Sequence, residues 1–428
     1  MSVKNRLRRL TGENDETCGQ ISQKEIISVL RKKIDAVMSR RGTSITPTSY
    51  NYRQDSVRAL EDLVVGEEVE NRYGRFFLSR TFMPGGSSHG KNMIGDLSCI
   101  DMDRVSMITG NSMFGSLRYA DGLFIDTETT GLAGGSGTFA FLIGLGWFDG
   151  DNFVITQLFA RDFSEEAAVL AYIQDIAKGR SFLVSFNGRA YDINLLSARY
   201  ILNRMEAPFL EMPHLDLLHP CRRLIGHRLD NCRLVTLEAE ILGFRRVGDV
   251  PGYEIPQRYF DWLRYRDGFL MEDVFEHNRY DIVSMAALVR YITGLLYTGD
   301  ADHRDLLAAA GLLSERGAAE YALKVFETLS SSHDKGVAMV AKKSLSLMHK
   351  RSARWDDALR VWQDMLKEYP NDSFAVIEAA KYLEHRARDY ERAFNLVDGY
   401  LFRNRGKYHP DTDALVHRLN RLNRKRGG

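Results

Sequence analysis

FIDTETTGL, running from Phe124 to Leu132, sets Asp126 and Glu128 two residues apart at the end of an apolar run. On a strand, residues i and i+2 project from the same face, so the two carboxylates would sit a few ångströms apart. Like charges that close repel, and one would hold a proton unless a cation neutralised the pair. A structural protein gains nothing from such a pair at a strand's end. A divalent-metal site uses it directly, because hard cations take oxygen ligands. The apolar strand before the pair and the Thr-Gly-Leu after it make the signal far more specific than Asp-Thr-Glu alone.

Two further segments carry acids in comparable surroundings. In SFNGRAYDINLL, Asn187 and Gly188 make a turn after the strand Ser181–Phe186, and Asp192 opens the helix that follows, at the sheet's edge. In FEHNRYDIVSM, Asp281 lies on a long helix with His277 four residues before it. Residues i and i+4 share a helix face, so His277 and Asp281 can address one site.

The surrounding chain alternates strands and helices. Leu123–Asp126, Phe139–Phe148 and Phe153–Ala160 are β-rich apolar runs punctuated by Asp-Gly turns at Asp121 and Asp149. Glu165–Lys178 shows apolar residues at helical spacing, Ser181–Phe186 is another strand, and Asp192–Leu202 reads as a helix. Three hairpin-like strands followed by helix–strand–helix units predict an α/β domain over 116–298, with a mixed sheet flanked by helices. Residues 299–428 read as all-helical and repetitive: Ala322, Ala358 and Ala393 recur 36 and 35 residues apart, close to the 34-residue tetratricopeptide period. Residues 1–115 form a small N-terminal region without evident chemistry. It holds an expected helix from Ser22 to Met38 with a capping-box start, a Ser/Thr-rich linker at Arg40–Tyr50, a strand-like piece at Arg75–Phe82, and His89 in a Gly/Ser-rich loop.

Composition sets outer limits. The 428 residues suggest two to four domains, and 44% hydrophobic with 27% charged residues is ordinary for a globular chain. A formal net charge of +1 says nothing of an acidic partner, so any nucleic-acid surface must come from local clusters. Such clusters occur at Arg222, Arg223, Arg228 and Arg233, at Arg245 and Arg246, and in the tail at Arg418, Arg421, Arg424, Lys425 and Arg426. Four scattered cysteines make no disulfide framework, and Cys221 and Cys232 with the nearby His214, His219 and His227 fit no common zinc spacing. There is no secretory signal and no apolar run of membrane-spanning length, so a cytoplasmic protein with no membrane association is expected. GLAGGSGT, Gly131–Thr138, lacks a P-loop lysine and precedes a strand rather than a helix.

The three acidic segments resemble the three exonuclease motifs of the DEDD superfamily, 3′–5′ exonucleases with an RNase H-like fold. FNGRAYD is similar to the second motif as found in the proofreading domains of family B polymerases. DTETTGLAGGSGT, the later Asp249–Gly252 (DVPG) and HNRYD together are most similar to the bacterial YprB family, which joins an RNase H-like domain to tetratricopeptide repeats. The resemblance implies two Mg²⁺ or Mn²⁺ ions held by Asp126, Glu128, Asp192 and Asp281, with His277 as general base. It also implies a single-stranded DNA or RNA substrate, with Thr129, Asn187, Arg222 and Arg223 as candidate nucleic-acid contacts, and a protein partner recruited by the repeats. In the superfamily's third motif a Tyr usually precedes the last Asp by four residues, or a His by five; here a His stands at four. Two alternatives stay open: a non-catalytic nucleic-acid-binding and protein-recruiting module, and an endonuclease selective for structure.

Overall fold

The computed structural model describes residues 57–131, 137–296, 301–406 and 409–427. The expected helix at Ser22–Met38, the linker after it and most of the glycine-rich loop lie outside the described residues. Nine strands are described: β1 (Glu67–Asn71), β2 (Gly74–Met83), β3 (Ser88–His89), β4 (Asn92–Met93), β5 (Gly122–Thr129), β6 (Ala140–Asp149), β7 (Asn152–Phe159), β8 (Phe182–Ser185) and β9 (His214–Asp216). Seven form one sheet in the order β1-β2-β7-β6-β5-β8-β9. The hairpins β1/β2, β5/β6 and β6/β7 and the pair β2/β7 are antiparallel, whereas β5/β8 and β8/β9 are parallel. The sheet is therefore mixed, as expected, and it reaches back to Glu67 through the Phe77–Met83 segment of β2, which pairs with Phe153–Phe159.

Seven helices accompany the sheet: α1 (Met102–Thr109), α2 (Glu166–Ala177), α3 (Asp192–Leu202), α4 (Leu218–Leu224), α5 (Leu234–Leu237, continuing as a π-helical turn to Leu242), α6 (Ile255–Tyr265) and α7 (Phe269–Gly294). Seven more follow: α8 (His303–Glu315), α9 (Ala319–Leu329), α10 (Lys335–Arg351), α11 (Trp355–Glu368), α12 (Ser373–Tyr382), α13 (Tyr390–Arg403) and α14 (Thr412–Arg426). Each of these packs on the next, and Ala322, Ala358 and Ala393, at the starts of α9, α11 and α13, are fully buried where helices approach closely.

Period-two alternation along β5 sorts its side chains between two cores. Leu123 and Ile125 join a cluster with residues of α2, α3 and α6, and Phe124 joins a second cluster with the C-terminal half of α7. The central strand β6 is buried on both faces, which explains its unbroken apolar run. Helix α7 lies against β6 at two glycines: a Cβ on Gly144 would fall 2.3 Å from Asn278 Oδ1, and one on Gly146 would fall 2.5 Å from Ile282 Cγ2. These glycines let a long helix run close over the middle of the sheet. The second cluster continues past α7 through Leu306, Leu312 and Leu313 of α8 to Met348 of α10, so the first C-terminal helices share the sheet domain's core. Arg228, Tyr291 and the fully buried Asp305 lock the same junction, with Arg228 Nη2 2.8 Å from Asp305 Oδ2.

Candidate active site

The alternation that buries Phe124 on the α7 side carries Asp126 and Glu128 onto that side too, where the polar middle of α7 meets the end of β5. Glu128, His277 and Asp281 present ligand atoms that all lie within 4.8 Å of one another. Asp126 adjoins them, its Oδ2 accepting a 2.8 Å hydrogen bond from Asn278 Nδ2. The register shifts between Glu128 and Thr129, a bulge that re-aims the strand's last side chains.

Thr127 points the other way, and its hydroxyl donates to Asp192 Oδ1 at the first turn of α3. Asp192 thus reaches the strand's end from the opposite face. A second acid, Asp216 on β9, holds the turn that delivers it: its carboxylate accepts the backbone N–H groups of Asn187 at 2.8 Å, Arg189 at 3.1 Å and Leu218 at 3.1 Å. Asn187 has a left-handed backbone, φ 66°, a conformation that asparagine tolerates better than most residues.

The electrostatics are those of crowded anions. Burial, reinforced by Asp281, Glu128 and Asp192, pushes the Asp126 carboxyl well above the usual range. Burial pushes Glu128 up to about 8, with Asp281 and Asp192 adding to the effect and His277 and Arg246 opposing it. Burial raises Asp192 to about 6 against the Thr127 hydrogen bond. Burial works against the His277 cation, yet its hydrogen bond to Asp249 and the charges of Asp281 and Glu128 hold it up to about 9. An all-oxygen carboxylate set this short of positive charge fits divalent cations of the hard class.

Arg246 supplies part of the missing charge. Its side chain is 4% exposed and pairs with the buried Glu238 through Nε–Oε2 at 2.7 Å and Nη2–Oε1 at 2.6 Å. Nη2 also donates to Asp281 Oδ1, and Nη1 lies 3.3 Å from Asp249 Oδ2. The sequence reading grouped Arg246 with surface cations suited to phosphate; the structure buries it in an ion-pair network instead. Arg228 is likewise committed to Asp305, and in the tail Arg418, Arg421 and Lys425 converge on the buried Glu384. His89, expected in a loop, is 4% exposed and donates from Nε2 to Ser284 Oγ at 2.8 Å. Ser284 in turn donates to Glu238 Oε1 at 2.5 Å.

The structure thus gathers Asp126, Glu128, Asp192, His277 and Asp281 at one end of β5. It leaves Arg222 and Arg223 on α4, exposed, with Arg223 paired to Glu315 at the end of α8. Thr129 turns its hydroxyl to the Gly131 carbonyl at 2.9 Å, and Asn187 lies partly buried in the turn before α3. Sequence reasoning missed Asn278, Glu238, Arg246, Asp249 and Asp216. Of these only Asp249 and Asn278 stood inside quoted motifs, DVPG and HNRYD.

The family model described as RNase_H superfamily matches residues 123–293, a span that contains all five gathered residues. The Bacillus subtilis (strain 168) protein named "Uncharacterized protein YprB" is 32% identical over 311 residues, covering 71% of this chain and 74% of that protein.

Proposed function

The chain carries an RNase H superfamily domain and belongs to the family of Bacillus subtilis YprB, and from that premise we propose that it is a metal-dependent nuclease, a 3′–5′ exonuclease of the DEDD type acting on single-stranded DNA. One observation carries the reading: Glu128 and Asp281, brought from β5 and α7, meet with His277 inside 4.8 Å, beside an Asp126 whose carboxyl burial and neighbouring carboxylates push well above the usual range. Asp126, Glu128 and Asp281, with Asp192 from the opposite face, would hold Mg²⁺ or Mn²⁺. Two such ions supply the Lewis acidity that activates water and stabilises both oxygens of an in-line displacement at phosphorus.

The chain's own groups do the rest. Asn278 fixes the Asp126 carboxylate, and is itself fixed by Gln157 Nε2 at 2.9 Å from its Oδ1. Asp249 accepts the His277 Nδ1 proton at 2.7 Å, which leaves Nε2 as the atom that faces Asp281, 3.8 Å away, and can exchange a proton with water. Neutralising the carboxylates removes the charges that keep His277 protonated, returning it toward the range of a general base. Thr129 at the end of β5 and Asn187 on the turn before α3 are the proposed substrate contacts; Arg222 and Arg223 would serve a longer strand. The C-terminal helices, read as a tetratricopeptide-like array, would recruit a protein partner.

The test is end-labelled single-stranded DNA and RNA with the full chain, beside Asp126→Ala and Asp281→Ala. Cleavage should require Mg²⁺ or Mn²⁺, disappear in EDTA, stop at a blocked 3′ end and fall by orders of magnitude in both variants. Undiminished cutting in excess chelator would sink the metal mechanism. Cutting that ignores the 3′ block would make the protein an endonuclease.

A further inference from the structure

We propose that Arg246 is a resident cation that keeps one oxygen of Asp281 out of metal coordination, so that the site offers one strong and one weak divalent-ion position. The inference rests on the metal-nuclease reading above and deepens it.

Arg246 cannot easily leave. Its bidentate pair with Glu238 is almost wholly buried, side chains 4% and 1% exposed. Glu238 is braced from behind by Ser284 and His89, and His89 lies against the Phe244 ring with centroids 4.1 Å apart. The Tyr280 ring lies across the guanidinium, 5.6 Å from Arg246 Cζ to its centroid. Swinging the arginine out would strand a buried carboxylate, which is strongly unfavourable. The guanidinium therefore stays, and its Nη2 occupies Asp281 Oδ1. Only Oδ2, on the His277 side, remains for an ion. The Glu238–Arg246 pair is neutral as a whole, yet it aims its positive end at the carboxylates. An ion at Asp281 would feel that end directly, whereas Asp126 and Asp192 take their hydrogen bonds from Asn278 and Thr127 instead, so an ion held by those two would be repelled less.

Mn²⁺ titration of the full-length protein tests this by calorimetry and by the electron-spin signal of the free ion, with no reliance on turnover. Wild type should bind Mn²⁺ in two steps whose Kd values differ tenfold or more. The double variant Glu238→Gln/Arg246→Gln keeps the net charge and removes the oriented pair, and its weaker step should tighten tenfold or more. Arg246→Lys, which retains the charge but cannot span Glu238 and Asp281 together, should tighten the same step less, and it decides the matter if the double variant fails to fold. Two equal steps in wild type, or a weaker step that stays level or weakens in the folded variant, would overturn the inference while leaving the nuclease reading intact. A wild-type protein that binds no Mn²⁺ would sink both.

Discussion

Crowded carboxylates should make the metal-free protein lose stability as pH rises, and Glu128→Gln should abolish part of that loss. Glu128 in the folded chain titrates at about 8 against 4.5 for the ordinary group. The folded state therefore binds more protons than the unfolded one across that interval, and stability falls as pH increases through it. Asp126 acts in the same direction, as does His277, held up to about 9 against 6.5 for the ordinary imidazole. Buried His89 and His214, both lowered to about 4, act oppositely, but only below about pH 6.5. The clean window is thus pH 6.5 to 8. There Glu128 alone would cost about 2 kcal/mol at roughly 1.4 kcal/mol per pH unit, and solvent at this partly exposed site reduces that to about 1 kcal/mol. At about 2–4 °C per kcal/mol for a domain of this size, wild type in EDTA should melt a few degrees lower at pH 8 than at pH 6.5. Glu128→Gln should recover part of that difference at pH 8, directly and by releasing the Asp126 and His277 groups that its charge holds up, and the subtraction of the two melts cancels His89 and His214, which Glu128 does not touch. Added Mg²⁺ or Mn²⁺ should raise the wild-type melt more at pH 8 than at pH 6.5, since the ions bind the deprotonated acids. A wild-type melt in EDTA that is level or rises between pH 6.5 and 8, with the same slope in Glu128→Gln, would refute the reasoning.

Asn278→Ala should lower Mn²⁺ affinity or turnover roughly 10–100-fold by freeing Asp126, and Gly144→Ala, whose Cβ would strike Asn278, should reproduce part of this while costing about 1–3 kcal/mol in a denaturant melt; wild-type values in both would remove Asn278 from the site. His277→Ala should cut turnover about 10²–10⁴-fold with metal affinity nearly unchanged, and His277→Tyr should be partly active; a wild-type rate in the alanine variant would show that the imidazole moves no proton. A chain ending at Leu296 loses the burial of Leu306, Leu312 and Leu313 and the partner of Arg228, on the order of 5 kcal/mol or more, and should melt or aggregate, whereas one ending at Ser352 should fold and cleave; a 1–296 chain with the full-length melting point would refute the shared core.

That last expectation departs from what the sequence alone suggests. Every motif residue precedes position 298, so a cut there looks harmless on paper. The contacts that forbid it join α7 to α8 through leucines whose local spacing says only that each helix has an apolar face. Which face meets which is a tertiary matter. The same holds for β1 and β2. Their alternation is readable as strand, as at Arg75–Phe82, but β2 ends at Met83 and its partner β7 begins only at Asn152. Long-range pairing leaves no local mark. The elements that were legible, β5 to β8 and the helix Asp192–Leu202, carry local marks of their own, Asp-Gly turns, apolar runs and helical spacing, even where the pairing itself is long-range, as between Gly122 of β5 and Phe182 of β8.

The site divides along a different line. Asp126, Glu128, His277 and Asp281 could be grouped as candidates because strand and helix periods fix which side chains share a face, and Asp192 because it follows a strand-to-helix turn. Glu238, Arg246 and Asn278 could not, because charged and amide side chains belong at the surface by default and only the folded chain shows them buried in mutual pairs. One signal did lie in the sequence. Gly144 and Gly146 interrupt the apolar strand β6 at alternate positions, so both face one side of the sheet. Glycine inside a buried strand weakens it unless something must come close. What comes close is α7 at Asn278 and Ile282, the residues that directly follow His277 and Asp281. The two glycines therefore marked, on the strand beside Asp126, the depth to which the third acidic segment would descend. They make Asn278, rather than any of the exposed arginines, the residue whose loss should be felt first at the Asp126 carboxylate.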